Sequence, residues 1–198
     1  ATVATVPPLQ NPSSAYNASS NKYVVSTLGH LSYIAQNSSF WSKNFIQSAD
    51  IDATVTKFWD DIDDAGGVSG DRYNDANDLT SAGSNEGFFP IGNSSTKFTG
   101  EYDGAGYSIN NLTIDRPSSN DIGLFGYIQN GSIRNLRLTN VELSGREKVA
   151  PLAGGIYQNS SIDNCTASGS VSGQYSVAGL VAQIYGSNSS IKSSVSNS

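Results

Sequence analysis

Seven aspartates between residues 60 and 78 carry the densest chemical signal in the chain: Asp60, Asp61, Asp63, Asp64, Asp71, Asp75 and Asp78. They sit among Gly, Ser and Asn, which favour turns over strands. Ca²⁺ takes six to eight oxygen ligands, and this stretch has enough carboxylates to supply them. The spacing is not that of an EF-hand. Counting from Asp61, the twelfth position is Arg72, where that motif needs a bidentate Glu. A solvated acidic loop over residues 59–87 explains the same run, so Ca²⁺ and no cofactor at all both stay open.

Other catalytic chemistry finds little to work with. The chain has one His, so a Ser-His-Asp or Cys-His site would have to be built on His30, and no Ser or Asp nearby suggests one. A zinc site of His and Cys is excluded by count, because Cys165 is the single cysteine. Cys165 reads as a small buried hydrophobe. Gly104-Ala105-Gly106 reads as a tight turn rather than a phosphate loop. Asp103, Asp115, Asp121 and Asp163 are expected at turns, without the aligned carboxylates that a polysaccharide-cleaving β-helix enzyme needs. The expectation is therefore no enzyme, with a carbohydrate-active lyase or hydrolase as an alternative. Eight Asn-x-Ser/Thr sequons occur, at Asn17, Asn37, Asn93, Asn111, Asn130, Asn159, Asn164 and Asn188.

The elements that position these residues follow from composition. Ser, Asn and Gly make up 72 of the 198 residues, and charged residues are only 14%. That argues against a helical bundle, which needs Ala, Leu, Glu and Lys at high density. Ten Tyr, seven Phe and two Trp suffice to build a core. The net charge is −6, all of it from residues 1–90, where four basic side chains face ten acidic ones. Without a basic patch, nucleic acid is a poor partner. No apolar run approaches the length of a membrane span, so no membrane insertion is expected.

Residues 1–21 read as an extended arm, interrupted by Pro7-Pro8 and Asn11-Pro12. Residues 22–97 read as a capping segment. In it, Tyr23-Val24-Val25 forms a short strand and a helix runs roughly over 27–36 with Leu28, Leu31, Ile34 and Ala35 on one face. Ser26 or Thr27 is the expected N-cap, and His30 lies off the apolar face. Ala49-Asp50-Ile51-Asp52-Ala53 alternates like a half-buried strand.

From residue 98 to 198 the chain repeats itself. Leu124, Leu152 and Leu180 are spaced by 28 and 28, and Ile133, Ile162 and Ile191 by 29 and 29. An earlier partial copy, Ile109-Asn110-Asn111-Leu112, precedes Ile133 by 24. Periods of this length signal a solenoid or propeller. The units lack amphipathic stretches long enough for helices, so the reading is an all-β chain forming a right-handed parallel β-helix. Leu124, Ile133, Leu136, Leu138, Val141 and Leu143 point inward in one coil. Leu152, Ile162, Cys165, Ala167 and Val171 do so in the next. Stacked coils place like residues about 4.8 Å apart in apolar columns.

The repeat resembles the GLUG motif, named for its Gly-Leu-x-Gly start. Gly123-Leu124-Phe125-Gly126 matches it. Gly179-Leu180-Val181-Ala182 departs at the last Gly and Pro151-Leu152-Ala153-Gly154 at the first. The order of the upstream segments, from Tyr23 through Phe89-Pro90-Ile91-Gly92 to Asp103-Gly104-Ala105-Gly106-Tyr107-Ser108-Ile109, is similar as well. The resemblance implies a β-helix in large secreted or surface-anchored bacterial proteins, including adhesin-like chains and extracellular peptidases whose repeats sit beside a catalytic domain. It implies no catalytic residues. The expected function is a non-catalytic extracellular structural or adhesive module, with a surface protein or glycan receptor as partner. The alternative is a filament subunit joined end to end to copies of itself through open coil ends.

Overall fold

The computed structural model describes residues 9–59, 86–192 and 195–197. They form a parallel β-solenoid of about three turns with one short helix near the start. Each full rung contributes four strands to four faces. In the second rung these are Glu101–Asp103, Ser108–Asn110 continued by Thr113–Asp115, Asn120–Ile122, and Phe125–Gln129. In the third they are Ser132–Arg134, Arg137–Ser144, Glu147–Val149 and Ala153–Tyr157. In the fourth they are Ser161–Asp163, Thr166–Ser172, Tyr175–Val177 and Val181–Tyr185. Ser190–Lys192 and Val195–Asn197 begin a fifth.

Register makes the core. Tyr102, Ile133, Ile162 and Ile191 stack on the first face, and Ile109, Leu138 and Ala167 on the second. Ile122, Val149 and Val177 stack on the third, and Ile128, Ile156 and Ile184 on the fourth. Every position expected to point inward in the third rung is buried, as are Leu152, Ile162, Cys165 and Ala167 in the next, while Val171 packs against the core half-buried. The partial copy at Ile109 aligns differently from its letters. Ile109 pairs with Leu138 rather than Ile133, whose partner below is Tyr102. The Ile-x-Asn-Leu similarity does not mark the register, and the buried aromatic at 102 takes the column position below Ile133.

Residues 22–52 extend the solenoid below these rungs. Lys22–Val25 and Phe45–Gln47 extend the first face downward, and Ile51–Asp52 extends the second. Tyr16–Asn17 turns back antiparallel onto Lys22–Val25 and ends the first face. The helix Leu28–Gln36 is capped by Thr27, whose Oγ1 accepts from the His30 N–H at 3.1 Å. It buries Leu28, Leu31, Ile34 and Ala35 against the same core. Trp41 fixes the helix C-terminus by donating from Nε1 to the Ile34 carbonyl at 2.8 Å. Gln47, almost fully buried, satisfies its polar atoms by donating to Ala49 and Ser108 carbonyls and accepting from the Tyr102 hydroxyl at 3.1 Å.

Corners repeat like strands. Asn130, Asn159 and Asn188 all adopt positive φ, as do Asn135 and Asn164. Asn tolerates that conformation better than other side chains, which explains its repetition there. Each carboxamide bonds to the one below: Asn159 to Asn130 at 3.1 Å, Asn188 to Asn159 at 3.3 Å, and Asn164 to Asn135 at 2.9 Å. Gly169 replaces a corner side chain at φ 138°, where a Cβ would overlap backbone atoms of Val141 at the bulge between rungs.

Candidate functional site

The acidic residues Asp60, Asp61, Asp63, Asp64, Asp71, Asp75 and Asp78 lie outside the described residues. Their insertion leaves and returns at one point, since the Gly87 N–H donates to the Trp59 carbonyl at 2.8 Å. Among the described residues no three His, Cys, Asp or Glu side chains converge as a metal site.

Asp103, Asp115, Asp121 and Asp163 fall within strands rather than at the expected turns. Asp103 and Asp163 do share a column, but Arg134 stands between them and Lys192 follows. The column alternates in charge. Arg134 donates from Nε to Asp103 Oδ2 at 2.9 Å, and Lys22 reaches Glu101 at 2.8 Å. Burial works against the Asp103 charge, but bonds from Asn135, the Ala105 N–H and Arg134 prevail and hold its carboxyl below the usual range. This is register chemistry: opposite charges lie across neighbouring strands. No pair of carboxylates faces another across an open surface there.

His30 is half-buried at the start of the helix, with Nδ1 3.2 Å from the Ser26 N–H and its pKa lowered by desolvation. Cys165 is fully buried, and desolvation pushes its thiol up to about 11. A thiol so held is not a nucleophile. Five of the eight sequon asparagines, at 111, 130, 159, 164 and 188, are corner residues, and four of these take part in the corner ladders.

Sequence reasoning missed a tyrosine stack on the fourth face. Tyr127, Tyr157 and Tyr185 lie ring over ring at 4.7 Å, with interplanar angles of 9° and 11°. Gly155 makes room, because a Cβ there would sit 2.8 Å from the Tyr157 ring. The Tyr157–Tyr185 interval of 28 residues was its visible signal. Beside the stack, Lys148 lies 3.5 Å from Asp121 one rung below. Desolvation dominates at Asp121 and raises its pKa against the pull of Lys148. At Lys148 burial opposes the charge, but Asp121, then Tyr127 and Glu147, outweigh it and raise the ammonium pKa.

The described surface has a well-defined polar cleft at the third face. Among the described residues that face has three strands, with Asn120–Ile122 at its lower edge. Residues 89–94 pass alongside, held by the Ile91 N–H on the Leu124 carbonyl and the Gly126 N–H on the Ile91 carbonyl, both 2.9 Å. The resulting notch has a volume of about 380 Å³ and is lined by Phe89, Asn93, Ser119, Asn120, Asp121 and Arg146 among others. That volume lies within the range of about 300–1,000 Å³ usual for small-molecule sites. Arg116 at its base is buried, pairs with Glu86 at 2.9 Å and lies over the Phe89 ring. Arg146 at its rim is exposed and donates from Nε to Asn120 Oδ1 at 2.9 Å.

Residues 75–169 match the model of the M26 IgA1-specific metallo-endopeptidase N-terminal region. The chain is 33% identical over 165 residues to halomucin of Haloquadratum walsbyi, covering 80% of this chain and 2% of halomucin. It is 48% identical over 54 residues to a protein named "Putative Gly-rich membrane protein" of Evansella cellulosilytica, covering 27% of this chain and 6% of that one. Among solved structures, a chain described as a putative immunoglobulin A1 protease from Bacteroides ovatus aligns over 89% of this chain and 66% of its own length, with a TM-score of 0.41 and 16% identity. The chain thus spans a few per cent of the length of the curated relatives it matches. The family match covers residues 75–169, a little under half of the chain, and does not show the GLUG motif read at Gly123–Gly126.

Proposed function

We propose that the chain is a non-catalytic, extracellular β-solenoid module of GLUG type within a larger secreted or cell-surface protein, where it acts as a rigid spacer and recognition surface. The observation that carries this is the ladder itself. Three rungs share one continuous buried core, and their outer faces spend their charged and amide groups on pairing with the rung above and below. Such a surface holds its shape without presenting a reactive constellation.

The likenesses support the setting. One is to the N-terminal region of an IgA1-specific peptidase family, and an enzyme that cleaves an antibody meets it outside the cell. Another is to about 2% of halomucin, as fits a module within a very long chain. No helix among the described residues is long and apolar enough to cross a membrane.

The test has two arms. Surface biotinylation of intact source cells should label the parent protein or recover it from the medium. The isolated chain should cleave neither IgA1 nor a panel of polysaccharides, with or without Ca²⁺. Retention inside the cell, or turnover abolished by a single Asp substitution in residues 101–163, overturns the reading.

One observation favours a second reading, end-to-end stacking. Val177, Ile184 and Ile191 are 44%, 50% and 37% exposed, although their column partners Val149, Ile156 and Ile162 are fully buried. A further rung, from the same protein or from another copy, would cover them. An uncovered strand edge invites such pairing, and a head-to-tail contact gives filaments. Sedimentation of the chain at high concentration distinguishes the cases: a monomer throughout removes the filament.

A further inference from the structure

We infer that the cleft at the third face binds a carboxylate-bearing saccharide, with Arg146 as the residue that engages the carboxylate. The inference deepens the extracellular reading and rests on it for the ligand's source.

Of the three charged residues lining the cleft, Arg146 alone has no ion pair among the described residues, while Lys148, which pairs with Asp121, is shared with Glu147 at 3.7 Å. Arg116 is offset by Glu86 at 2.9 Å, and Asp121 by Lys148 at 3.5 Å. Arg146 is different. Its Nε is held by Asn120 at 2.9 Å, its side chain is exposed, and among the described residues it has no ion pair. A guanidinium oriented through Nε presents its two terminal nitrogens as a fork, and a carboxylate fits that fork bidentately. The asparagine anchor reduces the rotamer freedom that the side chain would lose on binding.

The remaining lining argues for a sugar rather than a simple anion. Ser118, Ser119 and Asn93 are exposed around the notch and offer hydroxyl and carboxamide groups that both donate and accept, as vicinal sugar hydroxyls require. Asn93 is preset: its Oδ1 accepts from the Ser95 and Thr96 N–H groups at 2.9 Å, which fixes the carboxamide in place. Phe89 and Pro90 supply an apolar wall for the carbon face of a ring. The cleft lies at the lower edge of the described third-face sheet, beside residues 89–94 that bond to the fourth face, so it is not a seam between packed strands.

The experiment is calorimetric titration of the full 198-residue chain with three probes: digalacturonate, neutral galactobiose and acetate. Digalacturonate should bind at least tenfold more tightly than either of the others. Arg146→Gln, which keeps an amide able to reach Asn120 but removes the charge, should weaken digalacturonate tenfold or more. Arg137→Gln, exposed on the second face, should leave it unchanged. Asn120→Ala provides a second route, since it frees the Arg146 fork and should weaken binding without removing the cation. Matching thermal midpoints of the variants confirm folding, and weakening of wild-type binding by added salt supports the charge contact even where a variant fails to fold. Equal affinity for acetate and digalacturonate overturns the saccharide. Equal affinity for digalacturonate and galactobiose overturns the carboxylate. Undiminished binding by Arg146→Gln overturns the site. Each result leaves the surface-labelling test of the extracellular reading untouched.

Discussion

Leu136 and Arg137 are neighbours in sequence that the register sends to opposite sides of the wall, so the pair tests the fold sharply. Leu136 is fully buried at the corner between the first and second faces, and Arg137 is exposed. The packing at 136 is close: a Cβ on Gly104, one rung below, would sit 2.6 Å from the Leu136 Cα. Leu136→Asp forfeits about 2–3 kcal/mol of apolar burial. An isolated buried carboxyl must also stay neutral, and moving its pKa from about 3.9 to above 7 costs about 4 kcal/mol at 1.36 kcal/mol per unit. The sum, about 6–7 kcal/mol, is comparable with the whole stability of a typical domain. At about 2–4 °C per kcal/mol for a chain of this size, the melting temperature should fall by about 15–25 °C if the variant folds at all. Arg137→Asp should stay within about 1 kcal/mol of wild type, as exposed substitutions do. The pH dependence has a definite sign. The carboxyl introduced by Leu136→Asp has a raised folded pKa, so its ionisation penalty is absent below about pH 4 and grows as pH rises. The gap between the two variants should therefore narrow at acid pH. Equal midpoints measured by circular dichroism at pH 7, or a gap that widens on acidification, would refute the register.

Gly169→Ala should destabilise by several kcal/mol, since it adds a clash with Val141 to a disfavoured φ, whereas Gly106→Ala, with φ 84° and open space around it, should cost only about 1–2 kcal/mol; denaturant midpoints compare them. Tyr157→Ala breaks both ring contacts of the tyrosine stack, each worth about 0.5–1.5 kcal/mol beyond area, and near-ultraviolet circular dichroism should lose the coupled tyrosine signal. Asp103→Asn should lower stability at pH 7 by about 1.5–3 kcal/mol. Because the folded pKa of Asp103 is depressed, its contribution is present above the unfolded value and lost as pH falls through the folded one, so wild type and variant should converge in strong acid, and a constant difference across pH would contradict this. Replacing residues 61–84 by a short Gly-Ser link should leave the melting temperature within a few degrees, because the Trp59–Gly87 bond already closes the loop and long insertions cost little entropy; added Ca²⁺ should then stabilise only the full chain, and no shift in either removes the Ca²⁺ expectation.

The regular part of the fold was legible because stacking writes itself into the sequence. A residue buried on one rung needs a partner of similar size on the next, so Ile133, Ile162 and Ile191 recur at one interval and declare the column. The corner asparagines recur for the same reason, although their sequons drew attention to glycosylation rather than to carboxamide ladders. The lower rungs were harder to read. There Tyr102 stands where later rungs carry Ile, and a buried Gln47 bridges Tyr102 and Ser108, so matching letters misled where volume and hydrogen bonding decided. Residues 49–53 alternate like a longer strand, but only Ile51–Asp52 pairs, while Asp50 accepts from the Ser108 N–H and hydroxyl through its side chain.

The candidate site was not legible for a related reason. Repetition reveals what every rung shares, whereas the cleft lies at the edge of the described third-face sheet, where residues 89–94 depart from the repeat. Asn120, Asp121 and Ile122 resemble their counterparts Glu147, Lys148 and Val149 closely enough to read as one more third-face strand. Nothing in those residues announces that Asn120–Ile122 is the lowest described strand of that face. Arg146 gives no signal alone either, since its role depends on Asn120, 26 positions earlier. In a solenoid the periodic residues build the wall and the interruptions make places for ligands. The cleft is accordingly lined, beside the Asn120–Ile122 edge, by Phe89, Asn93, Ser119 and Arg146, none of which belongs to a repeating apolar column. The same logic explains why Asp103 and Asp163, expected at turns and out of line, fall instead in one alternating charge column. Arg134 and Asn135 on the rung above already hold the Asp103 carboxylate, and a group so paired has little left to offer a ligand.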